Sequence, residues 1–302
     1  MNDTALETEA SSTSEMATSS ANSGGADVGL LGPTLTLWRR EMVGFFRQRN
    51  RVVSALITPV LFWLMLGSGL NSSFNSDASS VATTISETAP QAEAETGYLA
   101  YFFPGTISMI LLFTAIFSTI TVIEDRKAGF LQGVLVSPAP RLSIVLGKVF
   151  GGASIAMIHG LIFLIIWPFV GDWPGIGPIL LAIVIMFVMS IALTTLGVCI
   201  AWPMDSTAGF HAIMMVFLMP MWFLSGAVFP VGTAPLPLKV AMYANPLTYG
   251  QELLAACLSN GEISIGLAIS PAVAAVIFGL VTALLLALSV RLVSRPRKDG
   301  LP

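Results

Sequence analysis

The sequence predicts an all-α integral membrane protein with six transmembrane helices, and three observations lead there. Of 302 residues, 55% are hydrophobic and only 10% are charged, against about a quarter charged in an ordinary soluble domain; mean hydropathy is +0.82. Six predominantly apolar runs fall at residues 52–70, 101–123, 144–170, 176–202, 210–229 and 267–292, and each is long enough for a helix to cross a hydrocarbon core of about 30 Å. Thirteen of the 14 Lys and Arg residues fall on one side of the resulting map, leaving Lys239 on the other. An excess of positive charge marks the cytoplasmic side of a membrane, so both termini are predicted to be cytoplasmic.

Residues 1–37 read as a disordered, Ser-rich cytoplasmic tail. They carry Asp3, Glu7, Glu9, Glu15 and Asp27 with no base, and too little apolar surface to offset the entropy of ordering them. The tail has neither the basic start nor the apolar run of a secretory signal. The formal net charge of −3 therefore belongs to the tail and not to the body of the protein.

Residues 38–298 form the predicted six-helix domain. Ahead of the first span, Trp38, Met42, Phe45 and Phe46 share one helical face, and Arg39, Arg40 and Arg47 fall largely on the other. Such a helix suits the plane of the inner interface, its arginines at the headgroups. It serves either as an orientation anchor or as a lever that also touches a cytoplasmic partner. The first outer loop, 71–97, holds Asp77, Glu87, Glu93 and Glu95 without a base, as expected of an exported segment. Pro59, Pro104, Pro168, Pro178 and Pro220 lie in or near the spans, where neighbouring helices can satisfy the freed carbonyls.

Between spans two and three the chain packs both charge signs into a short inner segment, Glu124, Asp125, Arg126, Lys127 and Gly129. Span three opens with Gly147 and Gly151 in Gly-x-x-x-Gly spacing, continued by Gly152, Ala156 and Gly160. This strip lets another backbone approach closely, within one subunit or across a dimer seam. In span five, Met214, Met215, Met219 and Met221 cluster, and flexible methionines suit a surface that accepts varied apolar molecules; a lipid-facing or core role is the plainer reading. The outer segment 230–266 is too apolar for an ordinary loop. Asn245-Pro246 reads as a helix start, so two short outer helices are expected, re-entering partway as a lid, with a surface hairpin as the alternative.

Chemistry inside the membrane is sparse. An enzyme or ion-coupled carrier normally needs intramembrane ionisable groups, which are expensive enough to mark function, and the imidazoles are limited to His159 in span three and His211 at the start of span five. The zinc-binding His-Glu-x-x-His and the Gly-x-Ser-x-Gly elbow are missing, and a Ser225–His159 pair has no motif behind it. Gly147-Lys148 is followed by Val149, so it is no phosphate-cradling loop. Cys199 and Cys257 are placed near opposite faces and are expected to be unpaired.

The order of several motifs resembles the permease subunits of type-2 ABC transporters, the group of drug, lipo-oligosaccharide and polysaccharide exporters. They are Phe103-Pro104-Gly105-Thr106-Ile107, the segment 124–129, Leu135-Val136-Ser137-Pro138 with Arg141, Gly147-Lys148, and Asn245-Pro246-Leu247-Thr248-Tyr249. The resemblance implies a membrane-spanning subunit of an ATP-driven exporter in a bacterial-type cytoplasmic membrane, moving an amphipathic or lipid-linked substrate outward. It implies two copies of a separate cytoplasmic ATPase that hold ATP and Mg, a second permease subunit forming a homodimer, and membrane lipids, but no nucleic acid and no cofactor on this chain. Residues 124–129 would then lie on or beside the helix that couples to the ATPase. An ion-coupled secondary transporter is the alternative, followed by an intramembrane enzyme.

Overall fold

The computed structural model describes residues 29–47, 57–65, 98–137 and 139–294. Among the described residues the regular structure is helical throughout. Helix α1 is Leu31–Phe46, α2 covers residues 57–65, α3 is Tyr98–Ser118, α4 Ile120–Lys127, α5 Phe130–Val136 and α6 Arg141–Leu164. They are followed by α7 Ile176–Ala201, α8 Thr207–Trp222, α9 Leu236–Ala244, α10 Pro246–Leu258 and α11 Pro271–Ser294.

Five helical stretches among the described residues are long and apolar enough to cross a membrane: α3 running on into α4, then α6, α7, α8 and α11. They correspond to expected spans two to six. Of the first expected span only residues 57–65 are described, and they are helical. The tail from 1 to 28 and the acidic loop 71–97 lie outside the described residues.

Helix α3 is the centre of the bundle, packed against α6, α7 and α10. Its Phe102, Phe103, Ile107, Ile110, Leu111, Leu112 and Ile116 are fully buried, so a helix that is apolar on every side finds protein on every side. Helices α8 and α11 stand at the rim. Val216 is 77% exposed and Leu280 and Leu284 are 66% and 68% exposed, a surface suited to lipid rather than water.

The small-residue strip of α6 is used within the chain. A Cβ at Gly152 would lie 2.3 Å from Ser118 Oγ of α3, and one at Gly160 would lie 2.7 Å from Met186 Cε of α7. Gly147 and Gly151 face α1, where a Cβ would come within 2.6 Å of Leu37 Cβ and 2.7 Å of Glu41 Cβ respectively.

At the far end of the bundle α8 breaks into a π turn, Phe223–Ala227, with Gly226 at φ +82°. Carbonyls freed there find partners in the segment between α8 and α11 and in α3. Asn245 Nδ2 donates to Met221 O (2.6 Å), Thr248 Oγ1 to Leu224 O (3.2 Å) and Tyr101 Oη to Gly226 O (2.8 Å). The two short helices expected between spans five and six are present as α9 and α10, and α10 is wedged against α7, α11 and α3. With its amide turned so that both ends are satisfied, Gln251 donates to Pro104 O (3.2 Å) and accepts from Gly105 N (3.0 Å), pinning α10 to the backbone of α3 at its proline.

Three expected boundaries shift, each for a local reason. Residues 31–37, assigned from sequence to the tail, are helical because Leu37 packs onto α6. Helix α6 ends at Leu164, and Trp167–Phe169 forms a single 3-10 turn. Helix α11 starts at Pro271 rather than 267, because the preceding segment is held outside a helix: Ile265 N–H donates to Glu252 Oε2 (2.8 Å) and Ile265 O accepts from Val231 N (2.6 Å).

Candidate functional site

The charged end of the bundle is built where α1, α4 and α6 meet. Because Gly147 and Gly151 carry no side chain, α1 lies directly on α6, with Leu37, Glu41 and Phe45 as its buried stripe. Trp38 Nε1 donates to Ser154 Oγ (3.1 Å) beside this seam. Glu41 is thereby delivered to Lys148 on α6, whose Nζ donates to Glu41 Oε1 at 2.5 Å and also to Asp125 Oδ2 on α4. Arg40 closes the group with two bonds to Asp125, Nη1 to Oδ2 at 2.8 Å and Nη2 to Oδ1 at 2.5 Å. Thr121 Oγ1 donates to Glu41 Oε2 (2.9 Å).

Two carboxylates and two bases thus neutralise one another. The Lys148 side chain is 5% exposed, and those of Glu41 and Asp125 are 7% and 8% exposed, so the pairing is what permits these ions to be buried. The Arg40 guanidinium is held above its ordinary value, chiefly by its hydrogen bonds to Asp125. It also sits 3.8 Å over the Phe130 ring, a cation–π contact to α5. A cleft of about 190 Å³ lies beside the group, lined by Arg40, Glu41, Phe45, Thr121, Glu124 and Asp125.

Two further arginines tie this end together. Arg126 donates to Trp202 O (2.6 Å) and Met204 O (2.9 Å) and pairs with Asp205 (3.2 Å), fastening α4 to the turn between α7 and α8. Arg141 donates to Ser294 O (2.9 Å), placing a cation on the last carbonyls of α11.

The predicted inner segment therefore divides. Glu124, Lys127 and Gly129 are exposed, Asp125 is buried and Arg126 is half-buried. Gly129, at φ +75°, makes the left-handed turn between α4 and α5. Of the predicted interfacial helix, Phe45 is buried and Trp38 half-buried, but Phe46 is 42% exposed and leaves the docked face. Arg39 and Arg47 point outward, while Arg40 turns in to Asp125. The span-five methionines separate: Met214 is buried, Met215 is 54% exposed and Met219 is half-buried, so the three do not share a face. Asn245 caps α10 by accepting from Leu247 N (3.1 Å), with Pro246 in the first turn. Tyr249 Oη donates to Tyr243 O (2.7 Å), joining α10 to α9.

No contact pairs Ser225 with His159 among the described residues. Ser225 donates to Trp222 O (2.6 Å) in the π turn, and His159 Nδ1 donates to Ile155 O (2.8 Å) against Phe45. Cys199 and Cys257 are free thiols. Sequence reasoning missed Glu41, Lys148 and Glu252. The available signals were the four-residue spacing that puts Glu41 between Leu37 and Phe45, and the position of Lys148 directly after Gly147.

The sequence profile of the ABC-2 type transporter family matches residues 33–258. The chain belongs to this family. The match takes in the ion cluster of α1, α4 and α6 and runs on to the end of α10. Among curated relatives, a putative transport permease, ycf38, of Cyanophora paradoxa is 26% identical over 224 residues, which is 72% of this chain and 70% of the relative. The probable multidrug ABC transporter permease YbhR of Escherichia coli K12 is 28% identical over 157 residues, covering 52% of this chain and 43% of the relative. Nodulation protein J of Sinorhizobium fredii is 27% identical over 161 residues, 52% of this chain and 60% of the relative. With several apolar helices of spanning length, this ABC-2 type chain is a multi-pass membrane protein of the transport permease class.

Proposed function

We propose that the chain is the membrane-spanning subunit of an ATP-driven exporter, moving an amphipathic or lipid-linked substrate outward across a bacterial-type cytoplasmic membrane. A separate cytoplasmic ATPase, in two copies, binds ATP and Mg, and two permease subunits form a homodimer around the path. Both termini and the charged end face the cytoplasm, in keeping with the excess of Lys and Arg there. The carrying observation is the exposed turn of Glu124, Lys127 and Gly129, which is anchored to the bundle through buried Asp125 and half-buried Arg126. Such a turn offers a partner polar side chains on a stiff base, so a push on it reaches the spans. The spans also present exposed apolar side chains, such as Met215 and Val216, which suits a substrate with an apolar part. The buried carboxylates Glu41 and Asp125 are each engaged by a base and Glu252 by the Ser264 hydroxyl and Ile265 N–H, which disfavours an ion-coupled carrier with exchanging protons.

The test follows from the division of the inner segment. Glu124→Lys and Lys127→Glu change exposed side chains, so they leave folding intact while weakening ATPase-driven transport by about tenfold, a loss of roughly 1.4 kcal/mol of coupling. Arg126→Glu by contrast removes internal bonds and lowers stability. The measurement is ATP hydrolysis and export in vesicles holding the permease with its co-expressed ATPase. Undiminished export by both exposed variants sinks the coupling role, and export by the isolated chain sinks the whole reading.

A further inference from the structure

Helix α4 carries the exposed turn, yet it packs little against α6 directly; its packing neighbours are α5, α7, α8 and α3. Lys148 supplies the polar link between them. Its ammonium reaches Asp125 and Thr121 (3.3 Å) on α4 and Glu41 (2.5 Å) on α1, although Lys148 itself belongs to α6. Arg40 separately joins α1 to α4 through Asp125. Removing Lys148 therefore leaves α1 and α4 bound to each other, and takes from α6 its ionic hold on both.

We propose that Lys148 is the positioning residue that carries a displacement of the charged turn into span three, with Asp125 and Glu41 as its two anchors. The inference rests on the partner-driven reading above and adds a route to it. Short ionic hydrogen bonds in a poorly solvated site are strong, and an ion left behind there has no water to take over its pairing. Helix α4 consequently moves with α6 rather than past it. Packing on Gly147 and Gly151 holds α1 to α6 independently, so loss of the ammonium removes the direct link from α4 to α6, leaves only the indirect one through Arg40 and α1, and weakens the transfer without undocking α1. From α6 the displacement runs along 24 residues to the opposite end of the bundle.

The charge balance of the group supplies a clean variant. Lys148→Met alone leaves two carboxylates facing one base. The pair Glu41→Gln with Lys148→Met restores neutrality through Arg40 and Asp125, yet lacks the bridge to α6. Lys148→Arg keeps a cation at the site. The experiment uses the full chain with its ATPase in phosphatidylethanolamine and phosphatidylglycerol vesicles, with Cys199 and Cys257 replaced by alanine. Spin labels are placed at Phe169→Cys, 88% exposed at the outer end of span three, and Leu236→Cys, 75% exposed on α9. In the parent, Mg-ATP changes the distance between the labels. In the neutral double variant ATP hydrolysis continues, but the ATP-dependent change falls by about fivefold or more, and Lys148→Arg retains most of it. A double variant that hydrolyses ATP and moves like the parent overturns the proposal. One that loses its ATPase overturns it also, by showing a role in assembly. A parent complex with no response to ATP removes the partner-driven reading itself.

Discussion

Gly151 matters because the space beside its Cα is already taken by Glu41. Gly151→Val forces α1 off α6, since a Cβ there would lie 2.7 Å from Glu41 Cβ and 2.9 Å from its Cγ. The expected loss is about 1–3 kcal/mol from overpacking, measured as a lower Tm in detergent; an unchanged Tm would mean that α1 is not seated on this strip. Gly133→Ala, on α5 with open space around its Cα, serves as the neutral control. The spacing of the two glycines was legible in the sequence, but their partner was not, because the same strip serves a neighbour in the chain or in a second subunit. Lys148 was equally concealed. Near the end of an apolar run a lysine reads as an interfacial charge that snorkels to water, and only the arrival of Glu41 and Asp125 keeps it inside.

Among the elements, α10 shows the closest agreement between expectation and outcome. Asn-Pro is a local signal, and its helix starts where the signal lies. What the local signal did not contain is the second use of Asn245, whose Nδ2 holds Met221 O in the broken end of α8. Asn245→Ala removes both the cap and this bond, and about 1–3 kcal/mol of stability is expected to go with them. Asn245→Ser keeps a neutral capping oxygen and loses the bond to Met221 O, so it should fall between the two in thermal unfolding; equal Tm values for Ala and the parent would deny the junction any structural weight. The methionine cluster shows the opposite case. Residues 214, 215 and 219 are close in sequence, but a helix turns about 100° per residue, and packing against α3 took Met214 inward while Met215 was left outside.

At the scale of the molecule, burial grades from α3 at the centre to α8 and α11 at the rim. Leu280, Leu284 and Val276 of α11 form an outward apolar stripe, which we expect to face lipid. Single tryptophans at 280 and 284, in a background whose native tryptophans have been replaced, should be quenched by brominated lipid acyl chains far more strongly than by aqueous iodide. Comparable quenching by iodide would place that face against water, and shielding from both would assign it to another subunit. Composition and hydropathy were sufficient to specify a helical membrane bundle, its later spans and the end at which charge collects, because those properties follow from the transfer energy of each segment taken alone. Which ions meet was decided by the tertiary structure. Glu41, Asp125 and Lys148 lie 84 and 23 residues apart in the chain, and their pairing exists only because two absent side chains let α1 settle on α6 and bring the three together.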